Sequence, residues 1–153
     1  MGTDTSLEAT KELLAVLPLL NRIVAAEVRR EAGEDTTMPQ FRVLAQIAAG
    51  PLTLSALAKK RRVSPQSMSE LVQVLVERGW IVRAPDPGDR RQSMLQLTDH
   101  GRLHYERADA QTLRRLAPLM AQLSHKELAA VRLALPALRR VLTQEEYDAS
   151  DER

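Results

Sequence analysis

Residues 54–97 read LSALAKKRRVSPQSMSELVQVLVERGWIVRAPDPGDRRQSMLQL, and this stretch decides the fold. Leu54 to Lys60 is a short helix that turns Leu54, Leu57 and Ala58 inward at three- and four-residue steps. The tight junction Arg61-Arg62-Val63 follows, and then Ser64-Pro65. Serine at the N-cap accepts an otherwise orphaned backbone N–H, and proline at the next position loses nothing by lacking one, so the pair marks a helix start. The helix it opens carries the apolar stripe Met68, Leu71, Val72, Leu75 and Val76 and ends at Gly79. Its other face shows Gln66, Ser67, Ser69, Glu70 and Gln73, uncharged apart from Glu70. Residues 80–83 and 93–97 are rich in strand formers, and the loop between them holds two prolines, Gly88 and Arg90-Arg91, which makes a hairpin. Two helices joined by a three- or four-residue turn form a helix-turn-helix, and the hairpin after them forms a wing.

Working outward, Ser6 to Ala32 reads as one long helix with Leu13, Leu17, Leu20, Val24 and Val28 on a stripe, Pro18 inside it and Gly33 after it. A second helix follows Thr37, with Pro39 in its first turn and Phe41, Leu44 and Ala48 inward; Gly50-Pro51 stops it, and Leu52-Thr53 is long enough only for a scrap of strand. Beyond the hairpin, Thr98 caps a helix running to about Leu123, lined by Leu113, Leu116, Met120 and Leu123 and interrupted by Pro118. Ser124 and Glu127 form a capping box for a last helix striped by Leu128, Val131, Leu135, Leu138 and Leu142, with Pro136 in mid-pattern. The class expected is mainly α: a winged helix-turn-helix of six helices and a small β-hairpin wing. Its parts are an N-terminal dimerisation helix (6–35), the winged helix-turn-helix region (37–98), C-terminal dimerisation helices (99–145) and an acidic tail (145–153).

A module of residues 37–98 is too small to cover the apolar stripes of the terminal helices. A second copy of the chain closes them most simply, since two-fold dimers are the commonest assembly of soluble proteins. Leu13, Leu17, Leu20, Leu128, Val131, Leu135 and Leu138 are the residues expected at that interface.

Composition narrows the function. Of 153 residues 44% are hydrophobic and 27% charged, the mix of a globular protein. Aromatics make up 3%, so the core must be aliphatic, which favours packed helices. The absence of cysteine closes disulfide, thiolate-metal and thiol-redox chemistry. No apolar run approaches the roughly 20 residues of a membrane span, and a cytoplasmic location is expected. An enzyme is disfavoured: there is no glycine-rich phosphate loop, and the three histidines lack an acid or nucleophile partner. No cofactor or metal is called for, although His100 and His104, four apart on a helix, have a spacing that can hold a metal. Net charge is only +2, yet residues 59–92 hold eight basic against four acidic side chains, between acidic ends. A basic centre of this kind suits a polyanion.

These residues fit double-stranded DNA. Glutamine can bond adenine through two hydrogen bonds in the major groove, and serine lets a helix approach closely. Ser64, Gln66, Ser67, Ser69 and Gln73 are therefore the expected recognition-helix contacts. Lys59, Lys60, Arg61 and Arg62 surround the turn and are placed to hold phosphates. Arg90 and Arg91 are the residue type drawn to the negative potential of a minor groove. The alternative is a winged-helix module that binds proteins and not DNA, which Glu70 and the acidic tail favour.

The stretch from Met38 to Gly101 resembles the MarR (multiple antibiotic resistance regulator) family of bacterial transcription regulators. The resemblance is carried by PQFRVLAQIA, LTLSALAKKRRVSPQSMSELVQVLVERGWIVR and the wing DPGDRRQSMLQLTDHG, with Asp89-Arg90-Arg91 the most diagnostic part. It implies an obligate homodimer built from the first and last two helices, and a regulator, usually a repressor, that a small ligand releases from DNA. It also implies that Asp89 braces Arg91 and that Arg91 enters the minor groove. A phenolic or other lipophilic ligand would sit near Arg42, Leu20, Val24 and Leu44, although these apolar positions also read as plain core. The chain departs from the family pattern at Glu70, where arginine is frequent, and at Arg62, where glycine is frequent. Pro136 is also unusual inside the last helix.

Overall fold

The computed structural model describes residues 2–33, 36–86, 88–89 and 93–151, with backbone alone at 2, 3, 32 and 144–151. In chain order the described elements are α1 (Gly2–Ala32), α2 (Met38–Ala48), β1 (Leu52–Thr53), α3 (Leu54–Arg61), α4 (Pro65–Glu77), β2 (Ile81–Pro85), β3 (Ser93–Leu97), α5 (Asp99–Met120) and α6 (His125–Asp151).

Local chemistry explains most boundaries. Thr37 caps α2 by accepting from the Gln40 N–H, while the Gln40 side chain accepts from the Thr37 N–H, a reciprocal capping box. Thr53 caps α3 through the Ala56 N–H, and Ser64 caps α4 through the Ser67 N–H. Before α6, Ser124 and Glu127 make the expected box, and the two hydrogen bonds from Ser124 hold the Glu127 carboxyl below its usual range. Helices α5 and α6 run through Pro118 and Pro136. The first strand of the hairpin starts at Ile81, one residue later than the sequence pattern predicts, because the Trp80 N–H is spent on the Leu75 carbonyl in closing α4. The predicted run of α5 to Leu123 is shortened to Met120, and α6 continues through the acidic segment to Asp151.

The scrap of strand at Leu52-Thr53 joins the hairpin. The sheet has order β1-β3-β2, antiparallel throughout, with Leu52 opposite Leu95 and Ile81 opposite Leu97. One hydrophobic core lies between this sheet and α2, α3 and α4, and Leu44, Leu57, Leu75, Ile81 and Leu95 are its largest fully enclosed side chains. Met68, Val72 and Leu75 fix the inward side of α4. A second, smaller cluster of Val28, Phe41 and Ala108, with Tyr105 against Phe41, joins α1, α2 and α5.

The terminal helices are different. Leu14, Leu17 and Leu20 on α1, Leu113 and Met120 on α5, and Leu133, Leu135, Val141 and Leu142 on α6 are exposed. Leu13, Leu128, Val131 and Leu138 are only half-covered. Among the described residues, α6 makes no extended contact with any other element. A helix of 27 residues gains little from propensity alone and is ordinarily held by an apolar face buried against something else.

Candidate nucleic-acid interface

Helices α3 and α4 are separated by Arg62, Val63 and Ser64, the short turn expected of a helix-turn-helix. The backbone turns there by a left-handed residue: Arg62 has φ 52° and ψ 43°. The Val63 N–H reaches back to the Ala58 carbonyl and the Arg62 N–H to Lys59, closing the end of α3. The same closure ends α4, where Trp80 bonds back to Leu75 and Gly79 to Val76, with Gly79 at φ 68°. Arg62 thus does the work that glycine does at position 79, with a Cβ that crowds the following carbonyl oxygen. Replacing Arg62 by glycine should raise stability by up to about 1 kcal/mol. The same change should remove a charge from the turn and lower the salt slope of DNA binding by about one per protomer. Thermal melts and a salt titration of affinity check the two halves separately.

At about 100° per residue, the positions diametrically opposite the Met68–Val72–Leu75 stripe are Gln66, Glu70, Gln73 and Glu77. All four are exposed. Two side-chain hydrogen bonds run along this ridge: Gln66 Nε2 donates to Glu70 Oε1 at 3.3 Å, and Gln73 Nε2 to Glu77 Oε1 at 3.1 Å. Ser67 is exposed beside the ridge, whereas Ser69 is half-buried on its flank. The Ser64 hydroxyl is engaged, accepting from the Ser67 N–H at 3.1 Å and donating to the Ser67 Oγ at 2.9 Å. The Ser67 O–H is the one left to donate outward. The pairing of each glutamine with a glutamate four residues on was overlooked in the sequence, although that spacing is its signal.

Lys59, Lys60 and Arg62 are exposed around the turn, and Arg61 is half-buried. Lys59, Lys60 and Arg61 also occupy the last turn of α3, where cations favour the carbonyl end of the helix dipole. On the wing, Asp86 Oδ1 accepts from the Gly88 N–H at 2.6 Å and the Asp89 N–H at 3.3 Å, an aspartate-built turn that shapes the approach to the tip. Asp89 is exposed. Arg90 and Arg91 lie outside the described residues.

The wing and α5 meet at a tight joint. Thr98 donates its backbone N–H to the Trp80 carbonyl at 3.1 Å and its hydroxyl to the Gly79 carbonyl at 2.6 Å, while its oxygen accepts from the Gly101 N–H. His104 stacks on Trp80 with ring centroids 4.7 Å apart, and the Arg78 guanidinium lies 5.2 Å from the Trp80 ring centroid. His100 and His104 bring their Nε2 atoms within 3.0 Å. Burial foremost, then the neighbouring His100 and Arg107, holds the His104 imidazole below its ordinary pKa, which favours its neutral form. Among the described residues no cluster of three or more His, Cys, Asp or Glu side chains forms. Leu44 belongs to the core, and Arg42 is exposed with its guanidinium on Asn21 Oδ1 at 3.1 Å.

Comparison with known proteins agrees with this architecture. The model of the MarR family matches residues 34–92. An uncharacterized HTH-type transcriptional regulator of Mycobacterium leprae is 30% identical over 97 residues, spanning 62% of this chain and 68% of that protein. The crystal structure of RV1404 from Mycobacterium tuberculosis superposes with a TM-score of 0.80 at 29% identity, covering 92% of this chain and 94% of that one. Streptococcus pneumoniae FabT, solved in complex with DNA, shares the fold with a TM-score of 0.77 at 21% identity, covering 91% and 98%. The helix-turn-helix with its wing, the long flanking helices and these matches together place the chain in the MarR family of transcription regulators.

Proposed function

We propose that the chain acts in the cytoplasm as a homodimeric repressor that binds a pseudo-palindromic DNA site and is released by a small ligand. The observation that carries the DNA reading is α4 itself: one side is locked into the core, and the side opposite is an exposed row of hydrogen-bonding side chains. With α4 in the major groove, Gln66, Ser67 and Gln73 face base edges or phosphates, Ser64 holds the helix start, and Ser69 contributes from the flank. Lys59, Lys60, Arg61 and Arg62 hold the backbone, and Arg90 and Arg91 reach the minor groove, with Asp89 bracing Arg91. The dimer reading rests on the exposed apolar residues of α1, α5 and α6, Leu17, Leu20 and Leu135 among them. Two copies would set two half-sites about one helical turn, roughly 34–36 Å, apart. FabT, solved with DNA, gives the fold a precedent for this use. Release by a phenolic or other lipophilic ligand rests on family resemblance, with Leu20, Val24 and Arg42 the surfaces available to it.

The two glutamates on the outward ridge favour a second reading, a protein-binding winged helix. Salt separates the two. A dimer making 6–10 phosphate contacts loses roughly 1,000-fold or more in affinity between 50 and 200 mM salt, because counterion release gains less as bulk salt rises. Arg91→Ala should then weaken binding by at least about tenfold while the melting curve stays unchanged. Fluorescence anisotropy on genomic operator fragments measures both. Binding that is insensitive to salt and to Arg91 removes the DNA reading.

A further inference from the structure

The sequence marks Glu70 as a departure from the family pattern and as a charge that favours the protein-binding alternative. Its position in the fold gives it a different role. It stands at the centre of the ridge opposite the α4 core stripe, so a groove that takes α4 must take this carboxylate. It is also not a free charge: Gln66 Nε2 donates to Glu70 Oε1 at 3.3 Å. That bond spends one of the two Gln66 amide N–H donors and leaves the second Glu70 oxygen an unspent acceptor on an exposed side chain. At the Glu70 position itself the ridge therefore presents an acceptor, since a carboxylate group has no donor to offer.

Only two groups in the major groove supply a matching N–H: the exocyclic amino groups of cytosine N4 and adenine N6. Cytosine is the better match for a carboxylate, because adenine places the N7 acceptor beside its amino group and that lone pair would oppose Glu70. We infer that Glu70, oriented by Gln66, is a specificity-determining residue that selects a C·G pair at one symmetric position of each half-site. The inference rests on the DNA-binding reading above. It makes the negative charge selective: where cytosine is present the carboxylate is satisfied, and elsewhere it stays desolvated against acceptors and repels binding.

Selection from a random duplex library, followed by titration of single-base variants, tests it on the full-length wild type, Glu70→Ala and Glu70→Gln. The side chain is exposed, and circular dichroism checks that each variant keeps its helices. The wild type should prefer cytosine at one mirrored position by at least about fivefold. Glu70→Ala should bring that position to within about twofold of indifference while the rest of the motif stands, and Glu70→Gln should move it toward adenine. A motif unchanged in Glu70→Ala, with affinity raised equally on every sequence, overturns the inference and leaves DNA binding intact. A wild type that enriches no sequence overturns the DNA-binding reading itself.

Discussion

Gly101→Ala should destabilise the protein by about 2–3 kcal/mol, although alanine is the better helix former. Gly101 sits in the first turn of α5, buried, where the helix crosses the chain between α4 and β2. A Cβ placed there would collide with the Trp80 carbonyl oxygen and lie 2.7 and 2.8 Å from the Trp80 carbonyl carbon and Cα. These are backbone atoms, and they cannot swing aside. The same carbonyl accepts the Thr98 N–H, and Thr98 in turn caps α5 and grips Gly79, so moving it strains three hydrogen bonds at once. A clash with fixed backbone lies at or above the upper end of the roughly 1–3 kcal/mol that overpacking usually costs, which leaves about 2–3 after a helix-propensity gain of at most about 1. For a chain of this size the melting temperature should fall by roughly 4–12 °C at fixed protein concentration. A melting temperature equal to that of the wild type would show that α5 does not approach Trp80 this closely.

Leu135→Asp should turn the proposed dimer into a monomer and remove high-affinity DNA binding. Leu135 is 57% exposed in the single chain, at the middle of the stripe that includes Val131 and Leu138. Burying one leucine side chain is worth about 1.5–3 kcal/mol, and a two-fold interface counts each substitution twice. The aspartates add the cost of desolvating two carboxylates. The dimer dissociation constant should therefore rise by at least about 100-fold, since each 1.4 kcal/mol is tenfold. Sedimentation velocity reads the mass directly, and anisotropy on a two-half-site duplex reads the loss of binding. A variant that stays dimeric and binds normally would exclude the α6 stripe from the interface.

Helix positions were legible because their signals are local. Ser64-Pro65, Thr98 and Ser124 with Glu127 each announce a helix start through side chains that reach only three residues, and each is found as read. The turn at Arg62 was marked in the sequence only by the glycine frequent there in the resembled family, and the structure supplies the positive φ. What could not be read was contact between distant segments. Leu52 and Thr53 are too few to show alternation, and their partner, β3, is forty residues away. The stacking of His104 on Trp80 depends on where α5 crosses the chain, which no periodicity records. The recognition helix was read as an apolar stripe and a broad polar face, which grouped Gln66, Ser67, Ser69, Glu70 and Gln73. The core stripe then moved the ridge onto Gln66, Glu70, Gln73 and Glu77.

The seating of Gly101 beneath the Trp80 carbonyl has a mechanical consequence. Because the first turn of α5 is bolted to the root of the wing through Thr98 and Gly79, the winged module cannot pivot independently at that point. Helix α5 becomes a lever arm of 22 residues, about 33 Å long. A tilt of about 10° at its far end, among the apolar side chains of the terminal helices, would swing the winged module by roughly 6 Å. That distance is more than the rise of one base pair, so in the proposed dimer a modest rearrangement far from α4 would be enough to put two half-sites out of register.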